Sequence, residues 1–575
     1  MNVITIGSKI VDDAIAFCGS DRDIKNVNRI TNISPFVLGF NAAHNKDILL
    51  PLDKCSDYVS YVHKAEMTGC LEVSEEFDYV IIDVADARFR FLEVAYANGK
   101  AFRITDNNIN SAIISKLKEE TKTNKRISIK ECDPLSCSAD ELKALFEEYV
   151  QWLKITFPEK KIILECNRHA YQTLSEDGNF TISEKITGLM RLNNFYDRCE
   201  GIVSGIAKCD VIPALSYVCA DALKNDFFVA NKAYYRYFTD CVADVAEEKT
   251  DYEKRRYEYQ YSVQRYYEKT ILKRLAEDII KSAKGDMVLI GATAEFEKEL
   301  CAKTGRRVSL SLDIKDFDSE KILSDKLSMP DKHTQLCVVV SITAGTHILR
   351  ALKDAGLDVD NRLVLATHGE FTLNRFVGYY EDIFGNIFDI KAVSDIKVSG
   401  IGNHIFVGEQ DPSISYDITV GDDNIMVFEN NSQTMLNKAI NAKAVSASYI
   451  RCGEFSALNN DNKIYAGKFG TIDIGKFCLM ATDVLLHCNG LKSVDNSIIV
   501  EDWTWIGYRA TLLPGAHIRT GSIVAARATV AEDFPKNSLI AGDPAKVIKK
   551  NVTYHRNNMI YDINAVPEQY RGLTE

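Results

Sequence analysis

Four polar residues stand at, or just past, the ends of apolar runs in the first third of the chain. Ser8 follows NVITIG, Asp83 and Asp86 close DYVIIDVAD, and Asn167 follows KKIILEC. If those runs are parallel strands, their carboxyl-terminal loops are the usual place for a site. Asp83 and Asp86 serve equally well as helix caps or salt-bridge partners. Farther along, Thr343-Ala344-Gly345-Thr346 sits at a strand-to-helix turn, where backbone N–H groups could meet an anion or simply start a helix. Metal chemistry is not expected. The fifteen cysteines are scattered, and Cys132 and Cys137, five apart, match no zinc spacing.

The elements that must position these residues alternate. The strands NVITIG (2–7), DYVIIDVAD (78–86) and KKIILECN (160–167) are separated by helical patterns such as Ala139 to Phe157. Strand–helix alternation implies a parallel sheet with helices on its faces. From Asp240 to Lys284 the chain is charged and rich in tyrosine, with no proline, and reads as one long helix ending at Gly285. The tyrosines read as packing residues. Residues 286–395 restart with DMVLIG, VSLSLD and CVVVSIT, a second, Rossmann-like α/β unit. Gly285, Gly291 and Gly345 do not form G-x-G-x-x-G, so a dinucleotide is not expected there.

From Val500 the texture differs. Val500, Ile506, Leu512, Ile518, Val524 and Val530 recur at a strict six-residue step. Neither a helix nor a half-buried strand has that period. It fits a parallel β-helix in which each hexapeptide gives one short strand and one turn, and the aliphatics stack into a core. The pattern extends back through Ile474, Met480 and Leu486 to about residue 396, with an interruption, partly helical, at 431–463.

At 575 residues and ~150 per domain, three or four units are expected. The net charge of −12 disfavours nucleic acid or an anionic membrane as the main partner. The odd cysteine count, the lack of a basic-then-apolar N-terminus and the lack of an ~18-residue apolar run point to a cytoplasmic protein with no membrane span.

Two resemblances add to this. Gly7-Ser8, NRITNIS (28–34), DYVIIDVADARF (78–89) and CADALKNDFF (219–228) resemble an SGNH-like domain found with surface-polysaccharide biosynthesis. The resemblance implies Ser8 as nucleophile and Asp221 as the residue that orients a histidine base. Lys224 occupies that histidine's place, and His169 is the other histidine nearby. A domain kept for glycan binding or spacing is the alternative. The second resemblance rests on the Ile-Gly doublets, DWTWIGYRATLLPGAHI and NSLIAGDPAKVIKK, which look like the hexapeptide acyltransferases of the surface-polysaccharide O-acetyltransferase type, over 396–556. A γ-class carbonic anhydrase, which shares the repeat, would need three zinc-binding histidines, and His404, His487, His517 and His555 lack the spacing.

The acyltransferase resemblance implies a left-handed β-helix that trimerises and takes acetyl-CoA as cosubstrate with a carbohydrate acceptor. Trp505, Gly507, Ala525, Ala526 and Arg527 would line the CoA groove. Pro544, Lys546 and Lys549 fall in the terminal motif, with the lysines as point charges for phosphates. His487 would be the general base, a histidine having a suitable unperturbed pKa, although Leu491 falls where the family's histidine is expected; His517 reads as a surface residue. The expected organisation is an SGNH-like domain at 1–240, a helical linker at 241–284, a Rossmann-like unit at 285–395, the β-helix at 396–556 and a tail at 557–575. The competing class is a trimeric scaffold whose two sites have each lost a base.

Overall fold

The computed structural model describes residues 1–45, 48, 56–73, 75–174, 180–215, 220–221, 232–256, 258–259, 287–290, 294–312 and 336–339. It further describes 363–365, 371–382, 385–410, 414–430, 439–459, 461–489, 496–552 and 554. Lys224, Thr343 to Thr346, Leu491, His555, the tail at 557–575 and all of 260–286 lie outside the described residues. The chain divides into two compact units: Met1–Thr173 with Thr181–Ser183 and Arg191–Ser262, and Leu174–Phe180, Glu184–Met190 and Val263–Glu575.

The first unit is built on a five-stranded parallel sheet. Its strands run in the order Asp210–Ile212, Lys161–Glu165, Tyr79–Ile82, Asn2–Gly7, Lys25–Thr31. Numbered along the chain within this sheet, that is the 2-1-3-4-5 order of a doubly wound fold. The first strand pairs with the second on one side and with the third on the other. Chain direction across the sheet therefore reverses between strands one and three, which places the loops after Gly7 and Ile82 side by side. Helix Ala139–Thr156 covers one face. A reciprocal Ser138–Glu141 capping box starts it, and Leu142, Phe146, Tyr149, Val150 and Leu153 are buried. A separate antiparallel sheet, Phe91–Tyr96 between Ala101–Thr105 and Ile127–Cys132, stands after the third strand.

The boundary expected at residue 240 falls inside a helix, Lys232–Ala246, whose Tyr234, Tyr235, Tyr237 and Phe238 are buried. The long helix expected from Asp240 is interrupted: a turn follows Ala246, and Glu248 takes φ 56°. The sequence there, EEKTD, has no apolar position to bury. Tyr259 is also buried, edge-on to Tyr237 at 6.1 Å, a packing role.

In the second unit, Val308–Leu312, Met287–Ile290 and Leu336–Val339 form a parallel sheet in that order, with helix Ala294–Thr304 between the first two in sequence. The boundary expected at 395/396 falls within a strand. Ile387–Val398 pairs antiparallel with Phe371–Asp382 and parallel with the coils, so the stacked strands begin at Ile387. Two ladders run from that strand. One continues through Ser415–Asp422, Ala439–Ser446, Lys463–Ala466, Leu485–Cys488, Thr511–Leu512 and Thr529–Val530. The other continues through His404–Val407, Ile425–Phe428, Tyr449–Cys452, Thr471–Ile474, Ser497–Val500, His517–Ile518 and Asp533–Phe534. A third ladder starts at Ala457–Leu458 and passes through Leu479–Met480, Trp505–Ile506, Ile523–Val524 and Ser538–Gly542. An antiparallel strand, Ala545–Lys550, closes it.

This is a parallel β-helix with three faces in its C-terminal coils. All six residues of the six-step run are buried at 1% exposure or less, as are Ile474, Met480 and Leu486. Burying each such side chain contributes about 1.5–3 kcal/mol, but only once neighbouring coils cover it. Ile499 pairs with His517, Trp505 with Ile523 and Thr511 with Thr529, each eighteen residues on. Earlier coils are longer and uneven: His404 pairs with Ile425, Ile425 with Tyr449 and Thr471 with Ser497. The interruption expected at 431–463 is corrected in part. Residues 439–458 are strands of all three ladders, built from small and alternating residues, and residues 431–438 lie outside the described residues.

Side-chain ladders hold the corners. Asn424 donates to Asn403 Oδ1 at 2.9 Å, Asn403 to Asn386 Oδ1 at 2.9 Å, and Ser448 N to Asn424 Oδ1 at 3.1 Å. Phe455, Phe477 and Trp503 each turn a corner with φ near +60°, and their rings stack at 5.1 and 4.7 Å.

Candidate functional sites

In the first unit the loops after strands one, two and three converge. Ser8 occupies the N-cap position of helix Lys9–Cys18 but does not cap it. Its hydroxyl instead donates to Asp83 Oδ2 at 2.9 Å, and its own backbone N–H donates to the same oxygen at 2.7 Å. Asp83 Oδ1 accepts from Ala85 N at 2.8 Å, so the carboxylate is held at both ends. Gly7 makes this possible. It takes φ +147°, and a Cβ there would lie 2.6 Å from the Asp83 carboxyl carbon. Asp86 Oδ2 accepts from Asn32 N at 2.7 Å, which ties in the loop after strand two.

The cluster is buried and rich in carboxyl groups. Burial pushes Asp83 above the usual carboxylate range. Burial and then the nearby Asp83 push Asp86 up to about 7. Glu165, ending strand Lys161–Glu165, is pushed up to about 8 by burial and then by Asp83. Arg88 Nη1 lies 3.9 Å from Asp86 Oδ1 and donates to the Tyr196 hydroxyl at 3.2 Å.

The other expected residues divide. The Asn167 amide donates to Glu165 Oε2 at 2.9 Å, and Tyr234 donates to Oε1 of the same carboxyl. His169 Nε2 bonds the Tyr196 hydroxyl at 3.0 Å. Burial, then the Arg88 and Arg168 cations, lower its pKa to about 3, so it is neutral at physiological pH. Asp221 lies in the short strand Ala220–Asp221; its side chain and Lys224 are outside the described residues. Glu165, Arg88, Tyr196 and Asn32 were not singled out from sequence. A glutamate ending the apolar run KIILE was the one visible signal.

On the coils the expected residues fall on two faces. Trp505 is 39% exposed and pairs in register with Ile523, which pairs with Leu539, which pairs with Lys549. Lys546 pairs with Ala541 on the same closing hairpin. Arg527 N donates to Tyr508 O at 2.9 Å, and Ala526, Arg527, Pro544, Lys546 and Lys549 are exposed. Ala525 is half-buried, its N–H bonded to Ile540 O. The third ladder thus carries an aromatic ring and two lysines, and Ala526 and Arg527 stand at the corner that follows Val524. Gly507 is explained by stacking of the coils: a Cβ would lie 2.6 Å from Ala526 N and 2.7 Å from Val524 O.

His487 is on a different face. It points outward from Leu485–Cys488 between buried Leu486 and Cys488. Its ring is edge-on to Tyr465 at 4.9 Å, and Tyr465 stands in register with Lys443. His517 is held between two carboxyl groups. Its Nε2 lies 2.8 Å from Glu501 Oε1 and its Nδ1 lies 3.7 Å from Asp533 Oδ1. Partial burial opposes ionisation of Glu501, but hydrogen bonds from Thr520 and His517 hold it below the usual range. Among the described residues no group of three His, Cys, Asp or Glu could hold a metal ion. Among them, too, no helix is long and apolar enough to cross a membrane.

No family model matches the chain. It is 40% identical over 106 residues to WbbJ of Escherichia coli K12, a protein that carries the provisional name of a lipopolysaccharide biosynthesis O-acetyl transferase. That match covers 15% of this chain and 54% of the relative. It is 47% identical over 53 residues to a 2,3,4,5-tetrahydropyridine-2,6-dicarboxylate N-acetyltransferase of Staphylococcus aureus JH9, covering 9% of this chain and 22% of that protein. The chain thus spans about half the length of the first of these curated relatives and less of the second. The solved polySia-specific acetyltransferase NeuO is similar at 21% identity, over 32% of this chain and 83% of that one, with a TM-score of 0.23. A perosamine N-acetyltransferase variant of Caulobacter crescentus, solved with CoA and GDP-perosamine, gives 17% identity over 47% and 99%, with a TM-score of 0.10. The sequence relatives named here are acetyltransferases.

Proposed function

We propose that the C-terminal coils transfer an acetyl group from acetyl-CoA to a hydroxyl of a surface polysaccharide or its precursor. The observation that carries this is the 40% identity to WbbJ. Trp505, Lys546 and Lys549 on the third ladder, with Arg527 at the corner after Val524, support it. An exposed indole can cover the pantetheine arm, and three exposed cations suit the phosphates of CoA as point charges. His487 is the general base in this reading: it takes the sugar hydroxyl proton as oxygen attacks the thioester carbonyl, and CoA leaves as its thiol.

His487 and Trp505 stand on different ladders of one coil stack. The complete site is therefore proposed to form between copies in a trimer of left-handed β-helices, with the base from one copy and the groove wall from the next. Acetyl-CoA supply puts the reaction in the cytoplasm. The test is incubation of the full chain with labelled acetyl-CoA and a panel of sugar nucleotides and oligosaccharides. Label should reach a carbohydrate hydroxyl; a protein that neither binds CoA nor acetylates any glycan is the scaffold instead.

A second reading concerns the first unit, and the Ser8–Asp83 hydrogen bond favours it. In that reading the unit is an SGNH-like domain in which Ser8 is a nucleophile toward acyl esters of carbohydrate, acting on the same class of molecule as the coils.

A further inference from the structure

We infer that Asp83 is the proton acceptor for Ser8, so that the two form a serine–carboxylate pair that opens an ester without a histidine. This rests on the second reading above. Three independent features converge on it. The first is position: the pair joins the loops after strands one and three, where the doubly wound sheet reverses direction and ligands of such folds are held. The second is a hydroxyl diverted from its local role. A serine at an N-cap ordinarily accepts from the second or third helical N–H, whereas Ser8 donates to Asp83 across 75 residues of sequence. The third is accommodation: Gly7, at φ +147°, leaves the space that the carboxylate fills.

The histidine in this neighbourhood is differently employed. His169 bonds Tyr196 and, on its backbone, Asn193, while Ser8 Oγ bonds the Asp83 carboxylate. The groups facing Asp83 are Asp86 and Arg88 on the following turn, Glu165 at the end of the adjacent strand, Tyr149 from helix Ala139–Thr156 and Tyr196 from helix Ile186–Ala207. A carboxylate withdrawn from water and set among other carboxyls is a better proton acceptor than one in solvent.

The chemistry balances with water as co-reactant. Ser8 Oγ bonds the ester carbonyl carbon while its proton passes to Asp83 Oδ2 and the carbonyl π pair moves to oxygen. Collapse breaks the bond to the sugar oxygen, which leaves with the proton from Asp83. Water then adds to acyl-Ser8, giving a proton to Asp83, and Ser8 Oγ takes it back as the carboxylic acid departs.

The experiment uses the full chain and a fluorophosphonate probe, in which serine attacks phosphorus and fluoride leaves, with the labelled residue located by mass spectrometry. Label is expected on Ser8 and absent in Ser8→Ala. Asp83→Asn should slow labelling by roughly 10²-fold or more, Asp83→Glu should restore part of the rate, and His169→Gln should leave it near wild type. The wild-type rate should rise through one ionisation that Asp83→Asn removes. Circular dichroism checks folding; if Asp83→Asn does not fold, the Asp83→Glu rate and the displaced pH profile decide. Labelling of Asp83→Asn at the wild-type rate, or its loss in folded His169→Gln, overturns the role of Asp83 and leaves Ser8 as nucleophile. No label on wild-type Ser8 overturns both.

Discussion

The two units assemble chemistry in opposite ways. At the sheet ends of the first, Ser8, Asn32, Asp83 and Asp86 arrive from three loops and are hydrogen-bonded in two pairs, Ser8 to Asp83 and Asn32 to Asp86, within one chain. On the coils, Trp505 and His487 are only eighteen residues apart yet stand on separate ladders. A parallel sheet funnels strand ends toward the place where its order reverses. A solenoid does the opposite and distributes successive residues around its faces, so a site there needs a loop or a second copy. Nearness in sequence is thus a poor guide on the coils, and distance in sequence is no obstacle in the sheet.

That contrast can be tested at three scales. The largest expected effect is on the coil core. Leu512 is fully buried between Leu486 and Val530 of the neighbouring coils. Leu512→Ala should cost about 2–5 kcal/mol, read from the denaturant midpoint of the coil transition. A cost near zero would mean that each coil is stable without its neighbours.

A single methyl group at two glycines gives the next effect, of about 1–3 kcal/mol, and should be felt differently in the two units. In Gly7→Ala the methyl meets the Asp83 carboxylate, so probe reactivity at Ser8 should drop more than stability does. In Gly507→Ala it meets the backbone of the next coil, so stability should drop, with a rise in the KM for acetyl-CoA only as a consequence. A Gly507→Ala protein with unchanged melting and a raised KM would instead make Gly507 part of the ligand groove.

The smallest effect is on pH dependence. Asp86 and Glu165 have folded pKa values near 7 and 8, above the ordinary carboxyl range. Between about pH 4 and 8 the folded state keeps protons that the unfolded chain has released, so this contribution is present at low pH and lost as pH rises. His169, lowered to about 3, has the opposite sign, and acts only between about 3 and 6.5. From pH 6.5 to 8.5 the carboxyls act alone. Hydrogen exchange of Asn2–Gly7 and Tyr79–Ile82, corrected for intrinsic rate, should therefore speed up over that range; unchanged protection would mean that these groups are ionised in the fold.

The coil core was legible because its period is carried by residue type alone: all six of Val500, Ile506, Leu512, Ile518, Val524 and Val530 point inward. The strands at 2–7, 79–82 and 161–165 were legible for the same reason. The coils of 439–458 were missed because AINAKAVSAS places small residues inward and the coil length is no longer eighteen. Their corners were hidden too, since Phe455, Phe477 and Trp503 take left-handed turns that sequence reasoning reserves for Gly or Asn. In the first unit Ser8, Asp83 and Asp86 were visible as strand-end polar residues. Their pairing was not, because it depends on which strands are neighbours. His169 and Asn167 looked like candidates by type, yet Tyr196 and Glu165 hold them.

One measurement separates the two units' roles most directly: acetyl transfer from labelled acetyl-CoA to carbohydrate by wild type, Ser8→Ala and His487→Ala, under identical conditions. The expected result is that Ser8→Ala transfers at the wild-type rate while His487→Ala is slowed by roughly 10²–10⁴-fold. Full transfer by His487→Ala together with loss in Ser8→Ala would contradict the assignment of acetyl transfer to the coils.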